Sequence, residues 1–164
     1  MKFVIVGDGA VGKTRLLQTF GKKKSEYENS IASFSFDFRK IVAQNIEYQF
    51  IVLDTLGNSV RIRQHSYKDT DVFIVCYSVD SLLSLNNVEN IWIPEIHQSS
   101  LNVPFILVGT KCDLDCDSLK DKAEEIAKLY NASSYVLCSA ANSYNIKLVF
   151  HEAVRVALEN DQNQ

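Results

Sequence analysis

The chain has no strongly basic region and no long apolar run. Its 164 residues include 17 Lys and Arg against 20 Asp and Glu, which gives a formal net charge of −3. Domains that bind nucleic acid usually carry a clustered basic surface, so this balance argues against that class of partner. No apolar run approaches the ~20 residues that a membrane-spanning helix needs. We therefore expect a globular protein without nucleic-acid partners or membrane spans.

Proline and glycine are also scarce, with 2 Pro and 6 Gly in the chain. This scarcity excludes collagen-like and low-complexity architectures, and no internal repeat is visible. The composition, 46% hydrophobic and 23% charged, is ordinary for a globular domain. The length fits one domain with a substantial core, so residues 1–164 are expected to form a single domain.

Cysteine and histidine are few and scattered. The cysteines have no C-x-x-C spacing and the histidines lie far apart, so no clustered zinc site is expected. Three of the cysteines lie in or beside apolar stretches, where a free thiol behaves as a small hydrophobe. Reduced thiols of this kind indicate a cytoplasmic protein. The residues concerned are Cys76, Cys112, Cys116, Cys138, His65, His97 and His151.

Residues 159–164 read ENDQNQ and contain no cysteine that a prenyl group could modify. Either the chain is truncated, or it does not anchor itself in this way. Peripheral association with membranes is therefore left open, while the cytoplasm is the expected location.

One glycine-rich segment points directly to phosphate chemistry. An apolar run at residues 2–6 is followed by GDGAVGKT at residues 7–14 and then by apolar residues at helical spacing. Gly7 and Gly12 allow a tight turn that approaches phosphate oxygens closely, at the positive end of the next helix. Lys13 is expected to reach the β and γ phosphates, and Thr14 to offer its hydroxyl to Mg²⁺. A glycine-rich turn with an incidental Lys and Thr is the alternative, which leaves the flanking strand and helix unexplained.

The rest of the chain alternates between strand and helix patterns. Apolar runs and period-two alternation predict strands at 34–42, 46–53, 72–77, 105–108 and 135–137, the first two forming a hairpin. Helical spacing predicts helices near 62–67, over 84–97, through 119–129 and over 146–158. Such alternation indicates an α/β fold, a mostly parallel six-stranded sheet with helices on both faces. A ligand should then bind at the carboxyl ends of the strands.

The helix predicted over 84–97 contains an irregularity. Pro94 lacks an amide proton and should kink the helix or end its regular part. The apolar residues expected on its buried side are Leu85, Val88, Ile91, Trp92 and Ile96.

Three separated motifs in one order resemble the small GTPases of the Ras superfamily, over residues 2–158. They are GDGAVGKT at 7–14, DTLG at 54–57 and TKCD at 110–113, followed by Ser139-Ala140. WIPE at 92–95 and TKCD look most like the Rho branch. However, the extra helix that Rho proteins usually carry has no room after Leu114, so the length is closer to Ras and Rab proteins. The resemblance implies an atypical, Rho-like or Rab-like GTPase with the fold of a P-loop NTPase G domain.

This resemblance implies the binding residues. Asp113 would accept hydrogen bonds from guanine N1–H and N2–H₂, a donor pair that adenine lacks. Lys111 would lie across the base plane, Thr110 stands where most members have Asn, and the Ala140 amide would bind guanine O6. The full nucleotide-binding set is Gly9, Ala10, Val11, Gly12, Lys13, Thr14, Arg15, Thr110, Lys111, Asp113, Ser139, Ala140 and Ala141.

The resemblance also implies a metal site and catalytic residues. Thr14 would bind Mg²⁺ directly and Asp54 through a water. Gly57 would meet the γ phosphate with its amide, and Lys13 would carry positive charge to the same group. Asn58 occupies the position at which the family usually has the Gln that orients the attacking water. Because Asn is one methylene shorter, and errors near 1 Å can cost ~10²-fold in rate, we expect slow hydrolysis, although a harmless variation is the alternative.

The first switch departs further from the family pattern. The Thr that binds Mg²⁺ and the γ phosphate corresponds to Ser30 by one alignment and to Ala32 by another, and Ser33 is also near. The aromatic residue that packs on guanine corresponds to Lys23 or Ser25, which suggests that it is missing.

Three functions are therefore considered. The first is a regulatory GTPase that acts in signalling, cytoskeleton or vesicle traffic, with effectors, an exchange factor and a GTPase-activating protein expected from the resemblance. The second is a GTP-binding scaffold with negligible hydrolysis, which Asn58 favours. The third is a P-loop kinase or ATPase, against which Asp113 argues because an adenine site has no use for that carboxylate.

Overall fold

The computed structural model describes residues 1–20, 36–43, 46–53, 60–100, 102–114 and 117–162. Six strands in these residues pair into one sheet in the order β2-β3-β1-β4-β5-β6. Only β2 is antiparallel to its neighbour, and every other pairing is parallel. The strands are β1 (Lys2–Gly7), β2 (Phe36–Ala43), β3 (Ile46–Leu53), β4 (Val72–Ser78), β5 (Phe105–Thr110) and β6 (Ser134–Leu137). The predicted mostly parallel six-stranded sheet is confirmed.

Helices fill the connections between the strands. They are α1 (Lys13–Phe20), α2 (Val60–Tyr67), α3 (Leu82–Asn87), α4 (Ile93–Ser99), α5 (Lys120–Leu129) and α6 (Ile146–Gln162), with a π-helical turn at Val88–Trp92 between α3 and α4. In the described part of the chain, no helix combines the length and apolarity needed to cross a membrane.

Helices cover both faces of the sheet, and the alternating side chains of β1 pack against both groups of helices. Phe3 and Ile5 contribute to one buried cluster with residues of α1 and α6, whereas Val4 and Val6 contribute to a second with α3, α4 and α5. All seven residues of β4 are buried, as expected for a central strand with helices on each side. The prediction of helices on both faces is confirmed.

The π-helical turn changes which side chains face the core. Ile91, predicted to be buried, is 43% exposed, while Ile93 is only 1% exposed. The amide of Ile93 donates to the carbonyl of Val88, five residues earlier, which widens the turn. Pro94 follows in the first turn of α4, where its missing amide proton is tolerated. The prediction for Ile91 was wrong because it assumed 3.6 residues per turn through this irregularity.

A cluster of three aromatic rings holds α1 and α6 on the sheet, and its centre is testable. Phe150 stacks on Phe20 at 3.9 Å between ring centroids and meets Phe50 edge-on at 5.0 Å. Phe150→Ala should lower the free energy of unfolding by about 3–5 kcal/mol, because it leaves a cavity in the core. Leu158→Ala, at a residue of α6 that is 42% exposed, is the matched control and should cost less than about 1 kcal/mol. Urea denaturation followed by circular dichroism measures both, and equal losses would contradict this packing.

Candidate functional site

The loop between β1 and α1 is built from residues with positive φ. Gly7 has φ 141°, Ala10 60° and Gly12 100°. A Cβ on Gly7 would lie 2.2 Å from the carbonyl oxygen of Cys76 in β4, so no side chain fits there. Among the described residues, a Cβ on Gly12 would meet only the Thr110 hydroxyl, at 4.0 Å, so it is the backbone angle that favours glycine there. Two glycines of the predicted loop are therefore explained, Gly7 by close approach and Gly12 by backbone conformation.

Lys13 points back under this loop at the start of α1. Its side chain is 3% exposed, and Nζ donates to the carbonyls of Gly7, at 2.8 Å, and Asp8, at 2.6 Å. Thr14 and Arg15 follow in the first helical turn and are exposed. The helix N-terminus and the ammonium place positive charge at the loop, which suits an anion.

The half-buried side chain of Asp8 binds two side chains of the helical segment after β4. One carboxylate oxygen accepts from Trp92 Nε1 at 2.8 Å, and the other accepts from Asn87 Nδ2 at 2.6 Å. Sequence reasoning treated Asp8 only as part of the glycine-rich motif. Its two donors lie 79 and 84 residues away, so no local spacing could have indicated them.

Thr110, at the end of β5, connects the glycine-rich loop to the TKCD motif. The residue is 4% exposed, and its hydroxyl lies 2.5 Å from the carbonyl oxygen of Val11 and 2.9 Å from that of Tyr77. One hydroxyl proton thus serves two carbonyls on neighbouring segments. The glycine-rich loop and the TKCD segment are held as one unit.

The remaining predicted residues lie beside Thr110. Lys111 has φ 58°, and its Nζ is 4.0 Å from a carboxylate oxygen of Asp80. The buried hydroxyl of Ser139 donates to the carboxylate of Asp113, and Ser139 in turn accepts from the Ala141 amide at 3.1 Å. The segments 110–113 and 138–141 therefore support each other, with the Asp113 carboxyl group on the exposed side.

These segments enclose a pocket of about 260 Å³. Its lining brings together seven of the predicted nucleotide-binding residues: Gly12, Arg15, Thr110, Lys111, Asp113, Ala140 and Ala141. Leu16, Leu114 and Cys138 complete the lining and were not predicted. Burial raises the pKa of the Cys138 thiol, so Cys138 is a neutral apolar wall. The other predicted nucleotide-binding residues do not line this pocket. Ser139 lies behind it and binds Asp113, and the adjoining loop and the start of α1 contain Gly9, Ala10, Val11, Lys13 and Thr14.

Several predicted residues lie outside the described part of the chain. These are Asp54, Gly57 and Asn58, together with the first-switch candidates Lys23, Ser25, Ser30, Ala32 and Ser33. Their predicted roles stay predictions. Among the described residues, no group of three His, Cys, Asp or Glu side chains could hold a metal ion.

The chain is similar to one family over nearly its whole length. A model described as the Ras family matches residues 2–159. A GTP-binding RHO-like protein from Candida albicans (strain WO-1) is 35% identical over 163 residues, which cover 94% of this chain and 45% of the relative. The Ras-like GTP-binding protein RhoL from Drosophila melanogaster is 36% identical over 162 residues, which cover 94% of this chain and 85% of the relative. The chain thus spans less than half of the Candida protein and most of the Drosophila protein.

The double hydrogen bond of Thr110 makes a direct prediction about stability. Thr110→Val keeps the shape but removes the donor for two buried carbonyls, so the free energy of unfolding should fall by about 1–3 kcal/mol. Thr110→Ser keeps the hydroxyl and serves as the control, with a loss under about 1 kcal/mol. Urea denaturation measures both variants. Equal stability of the Val and Ser variants would show that the hydroxyl is not needed.

Proposed function

The chain belongs to the Ras family of small GTPases and is Rho-like, and we propose that it binds GTP and GDP and acts as a molecular switch. The observation that carries the proposal is the pocket in which Gly12 of the phosphate loop meets Lys111 and Asp113 of the TKCD segment. A nucleotide fits this arrangement. The end of the pocket at the glycine-rich loop is positively charged and suits phosphates, and the other end places a carboxylate beside apolar walls and suits a base.

Guanine is the base that this pocket would select. Asp113 would accept from N1–H and N2–H₂, and the hydroxyl of Ser139 would hold the carboxylate in place for that pair. The stem of Lys111 would cover the base, and the amide of Ala140 would donate to O6. Adenine offers no donor pair to the carboxylate, so it would leave a charged group poorly paired.

The phosphate end is suited to Mg²⁺ as well as to the nucleotide. Lys13 would hold the β and γ phosphates. Thr14 presents an exposed hydroxyl in the first turn of α1, an oxygen donor of the kind that Mg²⁺ prefers. Thr14 and, through a water, Asp54 would therefore hold the ion, which when bound neutralises charge on the phosphates.

Hydrolysis would convert GTP and water into GDP and inorganic phosphate. Asn58 would orient the water, the Gly57 amide would contact the γ phosphate, and Lys13 would stabilise the charge that develops on it. The side chain of Asn58 is one methylene shorter than Gln, so we propose that the intrinsic rate is low. Asn58 also favours the second candidate function, a GTP-loaded scaffold with negligible hydrolysis.

As a switch, the protein would expose a different surface in its GTP-bound and GDP-bound states. Effectors, an exchange factor and a GTPase-activating protein would read and control that state, in signalling, cytoskeletal regulation or vesicle traffic. We propose a place in the cytoplasm or at a membrane surface, with no nucleic-acid partner.

The test is to load the purified protein with GTP and Mg²⁺ and to extract the bound nucleotide over several hours. Steady accumulation of GDP supports a working switch. Persistence of GTP supports the scaffold or a switch that needs an activating partner. Displacement of the bound nucleotide by ATP as effectively as by GTP would contradict both, and would favour a kinase or an ATPase.

The length of the Asn58 side chain makes a prediction of its own. Asn58→Gln restores the missing methylene and should raise the single-turnover rate of GTP hydrolysis, by up to ~10²-fold. Asn58→Ala is the control that removes the amide, and it should hydrolyse no faster than the unmodified protein. If the Gln variant is no faster than the original, the short side chain does not limit the rate.

A further inference from the structure

A series of side-chain contacts, through the buried residues Trp92 and Arg63, joins the phosphate-binding loop to α2. Asp8 in the loop accepts from Trp92 Nε1 at 2.8 Å. The guanidinium carbon of Arg63, in α2, lies 5.4 Å from the centroid of the Trp92 ring, which is within the range of a cation–π contact. Trp92 is 2% exposed and Arg63 is 7% exposed, so the contact between their side chains is shielded from water, whereas Asp8 is half-buried. The side chain of Trp92 therefore contacts both Asp8 in the loop and Arg63 in α2.

Arg63 is held on its other side by Glu95 of α4. Its Nε donates to Glu95 Oε1 at 2.8 Å and its Nη2 to Oε2 at 2.7 Å, a two-point pairing with fixed geometry. The hydroxyl of Tyr67, also in α2, donates to Oε1 at 2.6 Å. Arg63 and Tyr67 are four residues apart and so share one face of α2. Both carboxylate oxygens of Glu95 thus accept hydrogen bonds from side chains of α2.

The Glu95 carboxyl group remains charged at neutral pH. Burial raises the pKa of Glu95, but the hydrogen bonds from Arg63 and Tyr67, together with the positive charge of Arg63, outweigh that effect and hold the pKa below its usual value. Glu95 is 8% exposed, so moving α2 away would leave a buried charge without its partner. The pair therefore favours one position of α2 against α4.

Stability alone does not require such a pair. Apolar side chains of similar volume often stabilise a core as well as a buried ion pair does, because both ions must lose their hydration. What the ion pair adds is a fixed direction and distance between two helices. This points to a need for accurate placement of α2.

The position of α2 in the sequence, directly after the segment that contains Asn58, indicates why its placement would matter. The helix begins at Val60, two residues after Asn58. We propose that Arg63, Glu95 and Trp92 are positioning residues for GTP hydrolysis, holding α2 in place relative to the loop that contains Asp8. This inference rests on the proposed function. A shift of about 1 Å near the reacting groups can cost ~10²-fold in rate, so loosening the pair should slow hydrolysis without weakening nucleotide binding.

The first experiment compares Glu95→Gln with the unmodified protein. The single-turnover rate of GTP hydrolysis should fall about 10-fold or more, while the Kd for GDP changes less than about twofold. Glu159→Gln is the matched control, because Glu159 also pairs with an arginine at two points, Arg155, but on the exposed end of α6. It should change neither quantity.

A second variant separates positioning from stability. Arg63→Met combined with Glu95→Gln removes both charges, so no buried ion is left alone and folding should be retained. Hydrolysis should remain slow in this double variant although its melting temperature returns toward that of the unmodified protein. Recovery of the rate together with stability would overturn the proposal.

A third variant tests the contact with the loop. Trp92→Phe keeps a ring against Arg63 but removes the Nε1–H that Asp8 accepts, while Asn87 still binds the carboxylate. The hydrolysis rate should fall about threefold or more with the GDP affinity retained. An unchanged rate would overturn the role of Trp92.

The outcomes distinguish this inference from the proposed function. If the unmodified protein binds no GDP, the proposed function itself fails. If it binds GDP, the inference is overturned when Glu95→Gln hydrolyses GTP normally, when rate and GDP affinity fall together, or when the unmodified protein leaves GTP intact.

Discussion

The rest of the site depends on the hydrogen bonds that the buried ammonium group of Lys13 donates to the loop after β1. By donating to the carbonyls of Gly7 and Asp8, Lys13 fixes the backbone of the loop after β1, where Gly7 lies too close to β4 to carry a side chain. Other parts of the site attach to that same loop. Thr110 binds it through the carbonyl of Val11, and Trp92 binds it through Asp8. A displaced loop would therefore disturb both the pocket beside Thr110 and the contacts with α2.

Most of the fold could be predicted from the sequence because strands and helices are encoded locally. The run at 46–53 was predicted from its apolar pattern, and β3 has those bounds. The pocket was partly predictable for a different reason. Gly12 belongs to a glycine-rich pattern that has a physical rationale in phosphate binding, whereas Lys111 and Asp113 were expected from the resemblance to small GTPases. Placing the motifs at the carboxyl ends of parallel strands then brings them together.

The features that were missed depend on tertiary contacts or on local irregularity. Ile91 was assigned to the core because regular helical spacing puts it there, but the π-helical turn before Pro94 turns it outward. The contact between Asp8 and Trp92 joins residues 84 positions apart, and that between Arg63 and Glu95 joins residues 32 apart. No sequence period connects such pairs. They become visible only when the helices have been packed on the sheet.

We propose that the pocket between the glycine-rich loop and the TKCD segment recognises guanine nucleotides. Titration calorimetry of the nucleotide-free protein with GDP and with ADP, in the presence of Mg²⁺, tests it most directly. We predict one GDP bound per chain, with an affinity at least ~10³-fold higher than for ADP, since only guanine can pair with the Asp113 carboxylate. Equal affinities for the two nucleotides, or no binding of GDP, would contradict the account.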